Sequence, residues 1–131
     1  MIADTSAWVE YLRATGSRCH LLLRAALRRQ EEVWMPAVVL QEVLQGARSV
    51  EQFARLELQL ERLPALDGLN PRTLARHAAW LYARCRWQGV TVRSPNDCLV
   101  AAYAIAGDKP LLAQDRDFEA IARIAPELRR V

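Results

Sequence analysis

The sequence predicts an α/β protein, a three-layer α/β/α sandwich with a central parallel sheet. Two observations point there. Short apolar runs, Ile2 to Asp4, Val33 to Met35 and Leu111 to Ala113, are strand-sized and too short for helices. Between them lie longer stretches whose apolar residues recur at helical spacing. Strands alternating with helices imply parallel strands joined by helical crossovers, with helices on both faces. The 131 residues contain no internal repeat, low-complexity tract or linker, so one domain spanning 1–131 is expected. A chain of this length buries roughly two-thirds of its unfolded surface. Its 52% hydrophobic content supplies the core and argues against disorder.

The elements follow in order. Ile2 to Asp4 reads as a strand running into Thr5-Ser6, which opens a helix through Ala7, Trp8, Tyr11 and Leu12. Thr15-Gly16-Ser17 breaks it. Arg18 to Arg29 carries a stripe of Leu21, Leu22, Ala25, Ala26 and Leu27 with arginines opposite. Val33-Trp34-Met35 is a second strand stopped by Pro36, which suits the first turn of a helix over Ala37 to Ala47. Val50 to Leu63 is amphipathic, with Phe53, Leu56, Leu60 and Leu63 on one face, and Pro64-Ala65-Leu66 is a candidate short strand. Asn70-Pro71 opens a long helix to about Trp87, with Leu74, Ala78, Leu81, Tyr82 and Cys85 inward and Gly89 ending it. Ser94 to Asp97 caps a helix over Cys98 to Ala106. Gly107 to Pro110 is a turn, Leu111 to Ala113 a strand, Asp115 to Ile124 a helix, and Leu128 to Val131 a candidate final strand.

Composition removes several classes of function. Cys19, Cys85 and Cys98 are odd in number, with no C-x-x-C pair, against both a disulfide framework and a thiolate zinc site. His20 and His77 lack a ligand at metal spacing and read as helix-surface residues. The serine-hydrolase elbow, the P-loop and the dinucleotide fingerprint are all missing. No apolar run approaches the roughly 20 residues of a membrane span. The N-terminus has no basic-then-apolar signal pattern, so a cytoplasmic protein is expected. Net charge is only +3, too small an excess to imply tight nucleic-acid binding by itself. Lys109 is the sole lysine, and the arginines that make up the rest suit bidentate phosphate contacts or simply reflect a GC-rich genome.

The informative pattern is where the acids stand. Glu31, Glu32, Glu51, Glu57 and Glu61 sit where solvated helix faces put them. Asp4 instead ends an apolar strand, and Asp115 follows one. Glu42 interrupts the apolar stretch Val38 to Leu44, and Asp97 precedes the nearly uncharged segment Cys98 to Gly107. Asp4 and Asp115 fall at C-terminal strand ends, the edge where parallel sheets bind ligands. Glu42 and Asp97 are expected in first turns of helices facing that edge. Singly, Asp4 and Asp97 also suit helix capping or a helix dipole. Together, four carboxylates at one edge repel and call for a cation. With no imidazole or thiolate at ligand spacing, that cation is hard and oxygen-loving, Mg²⁺ or Mn²⁺. A carboxylate-held ion with open water positions suits phosphodiester hydrolysis.

Four blocks carry a family resemblance: Met1-Ile2-Ala3-Asp4-Thr5-Ser6-Ala7-Trp8, Gln41-Glu42-Val43-Leu44-Gln45-Gly46-Ala47, Asn96-Asp97-Cys98-Leu99-Val100-Ala101-Ala102-Tyr103-Ala104, and Asp115-Arg116-Asp117-Phe118-Glu119. In order and spacing the chain resembles the PIN-domain family over essentially its full length, and in particular the VapC-type toxin ribonucleases of bacterial toxin–antitoxin pairs. The resemblance implies a PIN-like sandwich and a metal-dependent endoribonuclease. It also implies a homodimer and a groove for an antitoxin tail, whose inserted basic residue would disturb the metal. Asp4, Glu42, Asp97 and Asp115 match the family's acidic quartet around Mg²⁺ or Mn²⁺. Asp117 matches a further acid that supports the metal site or binds a second ion. Thr5 or Ser6 matches a hydroxyl position after the first Asp, Asn96 orients its neighbour, and Phe118 anchors the last helix in the core. Ala113 departs from the pattern, standing where many relatives carry Thr, and removes a hydroxyl from the site.

Other readings fit less well. Arg93 and Arg116, close in sequence to site acids, are placed either to contact RNA phosphates or to be solvated or paired with acids. Lys109-Pro110 resembles a phospho-acceptor receiver domain, but the acidic pair after the first strand is missing: Asp4 is followed by Thr5-Ser6. A haloacid-type phosphatase fails for the same reason. A PIN fold that only binds a partner is the better rival, and retention of all four acids argues against it. The helices from Ala37 to Leu63 carry more apolar residues than one face needs, among them Val39, Leu40, Leu44, Phe53 and Leu60. Either they only fill the core or some of them meet a partner.

Overall fold

The computed structural model describes all 131 residues. Strand β1 (Ile2–Ala3) pairs in parallel with β2 (Leu111–Leu112), with Ile2 opposite Leu111 and Ala3 opposite Leu112. Single parallel bridges widen this pair: Trp34 lies beside Ile2, Ala65 beside Met35, and Arg130 beside Leu111. The order across the sheet is therefore Ala65, Met35 and Trp34, β1, β2, Arg130. The segments at 33–35, 64–66 and 128–131 contribute bridges rather than full strands. Pro36 follows Met35 directly and has no N–H to extend the ladder. The Met35 N–H is spent on the Pro64 carbonyl at 2.9 Å, and the Trp34 N–H on the Met1 carbonyl at 2.8 Å.

Seven helices surround the sheet: α1 (Thr5–Leu12), α2 (Arg18–Arg28), α3 (Ala37–Gln45), α4 (Val50–Leu60), α5 (Pro71–Trp87), α6 (Pro95–Ala106) and α7 (Asp117–Ile124). Four begin at a side-chain cap, as Asp4, Ser17, Ser49 and Asn70 accept from the N–H of Ser6, His20, Gln52 and Thr73. From β1 the chain steps outward twice, then returns to the opposite side of β1 to make β2. The right-handed crossover rule for parallel strands would set α1 to α4 against one face and α5 to α7 against the other. Within these groups α1 touches α2 and α3, α3 touches α4, and α5 touches α6 and α7, while α3 also meets α6. The reversal falls between β1 and β2, so the crevice beyond their C-terminal ends is where such a sheet receives a ligand.

Several boundaries differ from the sequence expectation. Helix α6 begins at Pro95, three residues early, because Pro95 takes the first helical position and Ser94 precedes it as the cap residue. Helix α7 begins at Asp117, which leaves Asp115 in the turn between β2 and the helix. Glu42 stands in the second turn of α3, not its first. His20 is buried rather than on a helix surface: its Nδ1 accepts the Gly16 N–H at 2.9 Å, closing the turn that Gly16 makes at φ +79°. Of the apolar residues between Ala37 and Leu63, Val39 and Leu60 are core, Leu40 and Leu44 pack partly against it, and Phe53 is exposed with Val50 and Leu58.

One contiguous core takes side chains from every helix and both strands. Phe118 is its largest fully buried side chain. It fixes α7, and with it the turn carrying Asp115. Phe118→Ala is expected to lower the unfolding free energy by about 3–5 kcal/mol, through lost burial and the cavity left behind. Urea denaturation followed by circular dichroism measures this. A loss below about 1 kcal/mol would mean that α7 is not anchored there. No helix is long and apolar enough to cross a membrane.

Candidate active site

The C-terminal ends of β1 and β2 open into a cleft of about 580 Å³ lined by Asp4, Glu42, Asp97 and Asp115, with Val9 its one apolar wall residue. Asp4 leaves β1 directly and is 97% buried, being 3% exposed. Its Oδ2 accepts the Ser6 N–H at 2.9 Å and the Ser6 hydroxyl at 2.7 Å. Asp4 therefore caps α1 and faces the cleft at once, so the capping and site readings of this residue are compatible. The Ser6 Oγ also accepts the N–H of Gln114 at 3.0 Å and of Asp115 at 3.3 Å. One hydroxyl thus ties the end of β1 to the end of β2. That tie is made from position 6, and Ala113 has no part in it.

Glu42 reaches the cleft from α3, and neutral donors hold both of its oxygens. The Thr5 hydroxyl donates to Oε2, and the Asn96 amide donates to Oε1 at 2.8 Å. Thr5 and Ser6 therefore serve different acids. Asn96 orients Glu42, fifty-four positions away in sequence, rather than its neighbour Asp97.

Asp97 is in the first turn of α6 and is partly buried. It is not the cap residue, and no protein donor reaches its carboxylate. Burial raises its pKa most, and the charges of Asp4, Asp115, Asp117 and Glu42 add to the rise, bringing it to about 7. Burial also raises Asp4, against the opposing hydrogen bonds from Ser6 and with a contribution from Glu42. Oxygens of Asp97, Asp115 and Asp117 come within 4.8 Å of one another. Asp117 joins this trio although it does not line the cleft.

The two arginines near the acids differ. Arg93 donates from a terminal nitrogen to Asp115 Oδ1 at 2.6 Å and from Nε to Asp117 Oδ2 at 3.2 Å. Sequence reasoning left its pairing open, and the structure pairs it with acids. Arg116 is exposed and forms no ion pair. Lys109 sits before β2, at the opposite end of the strand from Asp115, with its Nζ 4.5 Å from the Trp34 ring centroid. It is therefore far from serving the acids as a receiver-domain lysine would.

A parallel sheet with reversed strand order and four carboxylates at its switch point define a fold and site together. Residues 1–124 match the PIN domain family, and the chain belongs to it. It is 40% identical over 125 residues to the ribonuclease VapC11 of Mycobacterium tuberculosis, covering 95% of this chain and 92% of that one. A VapC ribonuclease of Mycobacterium bovis matches to the same extent. Among solved structures the fold resembles VapBC2 from Rickettsia felis bound to a promoter DNA fragment, with TM-score 0.74, 21% identity, and 99% and 96% of the two chains covered. DNA-bound VapBC from Salmonella typhimurium matches with TM-score 0.74 and 24% identity, over 99% and 95%.

Proposed function

We propose that this protein is an endoribonuclease, the toxin of a toxin–antitoxin pair, hydrolysing RNA phosphodiester bonds at a carboxylate-held Mg²⁺ or Mn²⁺ site. The observation that carries this reading is Asp97, a partly buried carboxylate with no donor among four other acids. Burial and like charges disfavour such a group as an anion, and a cation beside it would offset both. The donor set is all oxygen, which suits a hard ion. Asp4, Glu42, Asp97 and Asp115 would hold it, directly or through water. When bound, the ion supplies Lewis acidity toward the phosphoryl oxygen and lowers the pKa of water.

The chain's own residues do the rest. Ser6 fixes Asp4 and the backbone of Asp115, and Thr5 with Asn96 fixes Glu42. The cleft is open and lined by acids, so a backbone phosphate would enter it with the cation bound. Arg116, exposed beside Asp115 and in no ion pair, would be an arginine free to meet neighbouring phosphates. The ribonuclease names of the 40% identical relatives support the reaction class. The VapBC structures support an antitoxin as partner. The exposed Val50, Phe53 and Leu58 of α4 offer apolar surface for the antitoxin or for a second copy of the chain.

The deciding experiment is sequencing of RNA ends after brief expression, with Asp4→Asn as control. Discrete new ends with the wild type and none with the variant are expected. Identical ends from both proteins would bring the reading down. A second expected result concerns Asn96. Asn96→Ala frees one oxygen of Glu42, and loss of such an outer partner typically weakens metal binding roughly 10–100-fold. Calorimetric titration with Mn²⁺ checks this, and an unchanged affinity would remove Glu42 or its orientation from the site.

A further inference from the structure

Helix α5 carries two tryptophans in solvent, Trp80 and Trp87, 54% and 65% exposed. Single exposed apolar residues are ordinary, but these two form a pair. Their ring centroids lie 5.8 Å apart with the planes at 80°, an edge-to-face contact. The guanidinium carbon of Arg84 lies 6.0 Å from the Trp80 centroid, and a terminal nitrogen of Arg84 donates to the Ile124 carbonyl at 2.6 Å, at the end of α7. Trp80 is thus braced by an arginine that a neighbouring helix holds in place. Thr73, Arg76 and His77 line an open hollow beside it.

The charge of this helix has one sign. No acid occurs between Asp67 and Asp97, while α5 carries Arg72, Arg76, Arg84 and Arg86. None of the four is in an ion pair, and Arg72, Arg76 and Arg86 are exposed. Helix α2 is also rich in arginine but has no tryptophan. Unpaired guanidinium groups set among exposed aromatic faces match a single-stranded nucleic acid, with phosphates for the arginines and bases for the rings. They do not match a second copy of the chain, because a two-fold contact through α5 would bring one set of arginines against the other.

We propose that the Trp80–Trp87 face of α5 is a second RNA-binding surface, which stacks bases of a single strand and grips its phosphates outside the acidic cleft. The inference rests on the RNA reading above for the identity of the strand. Its position suits a substrate that runs on from the cleft. Helix α5 ends at Trp87, and residues 88–94 lead from it into the cleft wall at Arg93 and Ser94. From Trp87 to Arg93 the chain reaches at most roughly 22 Å, a span that a few extended nucleotides cover. The acids of the cleft repel a polyanion, and a basic surface at this distance offsets that repulsion. Every base has a π face, so the surface contributes affinity and not the choice of base.

The test is binding of a short fluorescent oligouridylate to the full chain in EDTA, read by anisotropy over a range of salt. Chelation prevents metal-dependent cleavage and leaves the cleft acids to repel the probe. The wild type is expected to bind, and Trp80→Ala and Trp87→Ala each to weaken binding about fivefold or more. Trp80→Phe should keep most of the affinity and Trp80→Leu should lose it, since leucine is apolar without a π face. Arg72→Gln together with Arg76→Gln should reduce the slope of log K against log salt by about 1.4, at about 0.7 per phosphate contact. All these side chains are exposed, so the variants are expected to fold, and melting curves verify it. No binding by the wild type at low salt, full binding by the folded alanine variants or by Trp80→Leu, or an unchanged salt slope would each overturn the proposal. Should the tryptophan variants not fold, the salt slope of the arginine variant decides. A wild type that sediments as a dimer and becomes a monomer when both tryptophans are replaced by alanine would assign the face to a second copy and overturn the proposal too. New RNA ends from the wild type, with oligouridylate binding that ignores the tryptophans, would overturn this inference alone. No RNA ends, with binding that depends on the tryptophans, would overturn the cleavage reading and leave the surface standing.

Discussion

Asp97→Asn is expected to lower RNA cleavage by at least about a hundredfold at saturating Mn²⁺, roughly 2.7 kcal/mol in transition-state terms. In metal-free buffer the same protein should resist urea better than the wild type. Asn nearly matches Asp in volume and suits the first turn of α6, so the fold keeps its shape. What disappears is a negative charge beside four others. The pH dependence has a definite sign. Asp97 has a folded pKa of about 7 against an ordinary value of 3.8, so the folded state holds its proton over a range where the unfolded chain has released it. Metal-free wild-type stability from this group is complete below about pH 4 and is lost as pH rises to about 7. The advantage of the variant should therefore open across that window and level off above it. Glu61→Gln is the control. Glu61 is exposed at the end of α4, and its replacement should shift stability by less than about 0.5 kcal/mol and leave cleavage alone. Full cleavage by the Asp97→Asn protein at both limiting and saturating Mn²⁺ would remove this residue from the site.

Addition of Mn²⁺ should raise the melting temperature and expel protons together. An ion that binds only the native state at a hundred times its Kd adds about 2.7 kcal/mol. For a domain of this size that corresponds to roughly 10 °C. Binding requires Asp97 as the anion, whereas burial and the neighbouring acids raise its pKa to about 7 and favour the protonated form in the metal-free protein. Proton release from this group should accompany metal binding near and below neutral pH and fade as pH rises well above about 7. The raised pKa of Asp4 adds to the release in the same direction. Calorimetry in two buffers of different ionisation enthalpy measures the proton count. An unchanged melting temperature with no proton release would mean that the carboxylates do not act together on a cation.

Much of this molecule is written locally. Apolar runs of strand length, helical stripes and the capping residues Ser17, Ser49 and Asn70 are short-range signals, and the helices appear where those signals put them. The four acids also stood out in the sequence, because a carboxylate at the end of an apolar strand or inside an apolar helix breaks the pattern around it. Local signals failed where a choice depended on a distant partner. Whether Val33 to Met35 pairs as a strand or a bridge depends on Pro64 and Met1 across the sheet. His20 reads as a surface residue until the Gly16 turn folds over it. The start of α6 depended on Pro95, whose fixed φ admits it to the first turn that Ser94 to Asp97 had seemed only to precede.

By itself the sequence determined the fold class, the chain order of the elements, the four acids and the hard character of the cation that they would select. Those properties follow from residue type and from periodicities of a few positions. Only the tertiary structure decided who holds whom: Ser6 binding the far strand end at 114 and 115, Asn96 holding Glu42, and Arg93 joined to Asp115 and Asp117. These pairs span 22 to 109 positions of chain. Their geometry is set by the parallel register of β1 with β2 and by the reversal of strand order between them, which no local periodicity encodes.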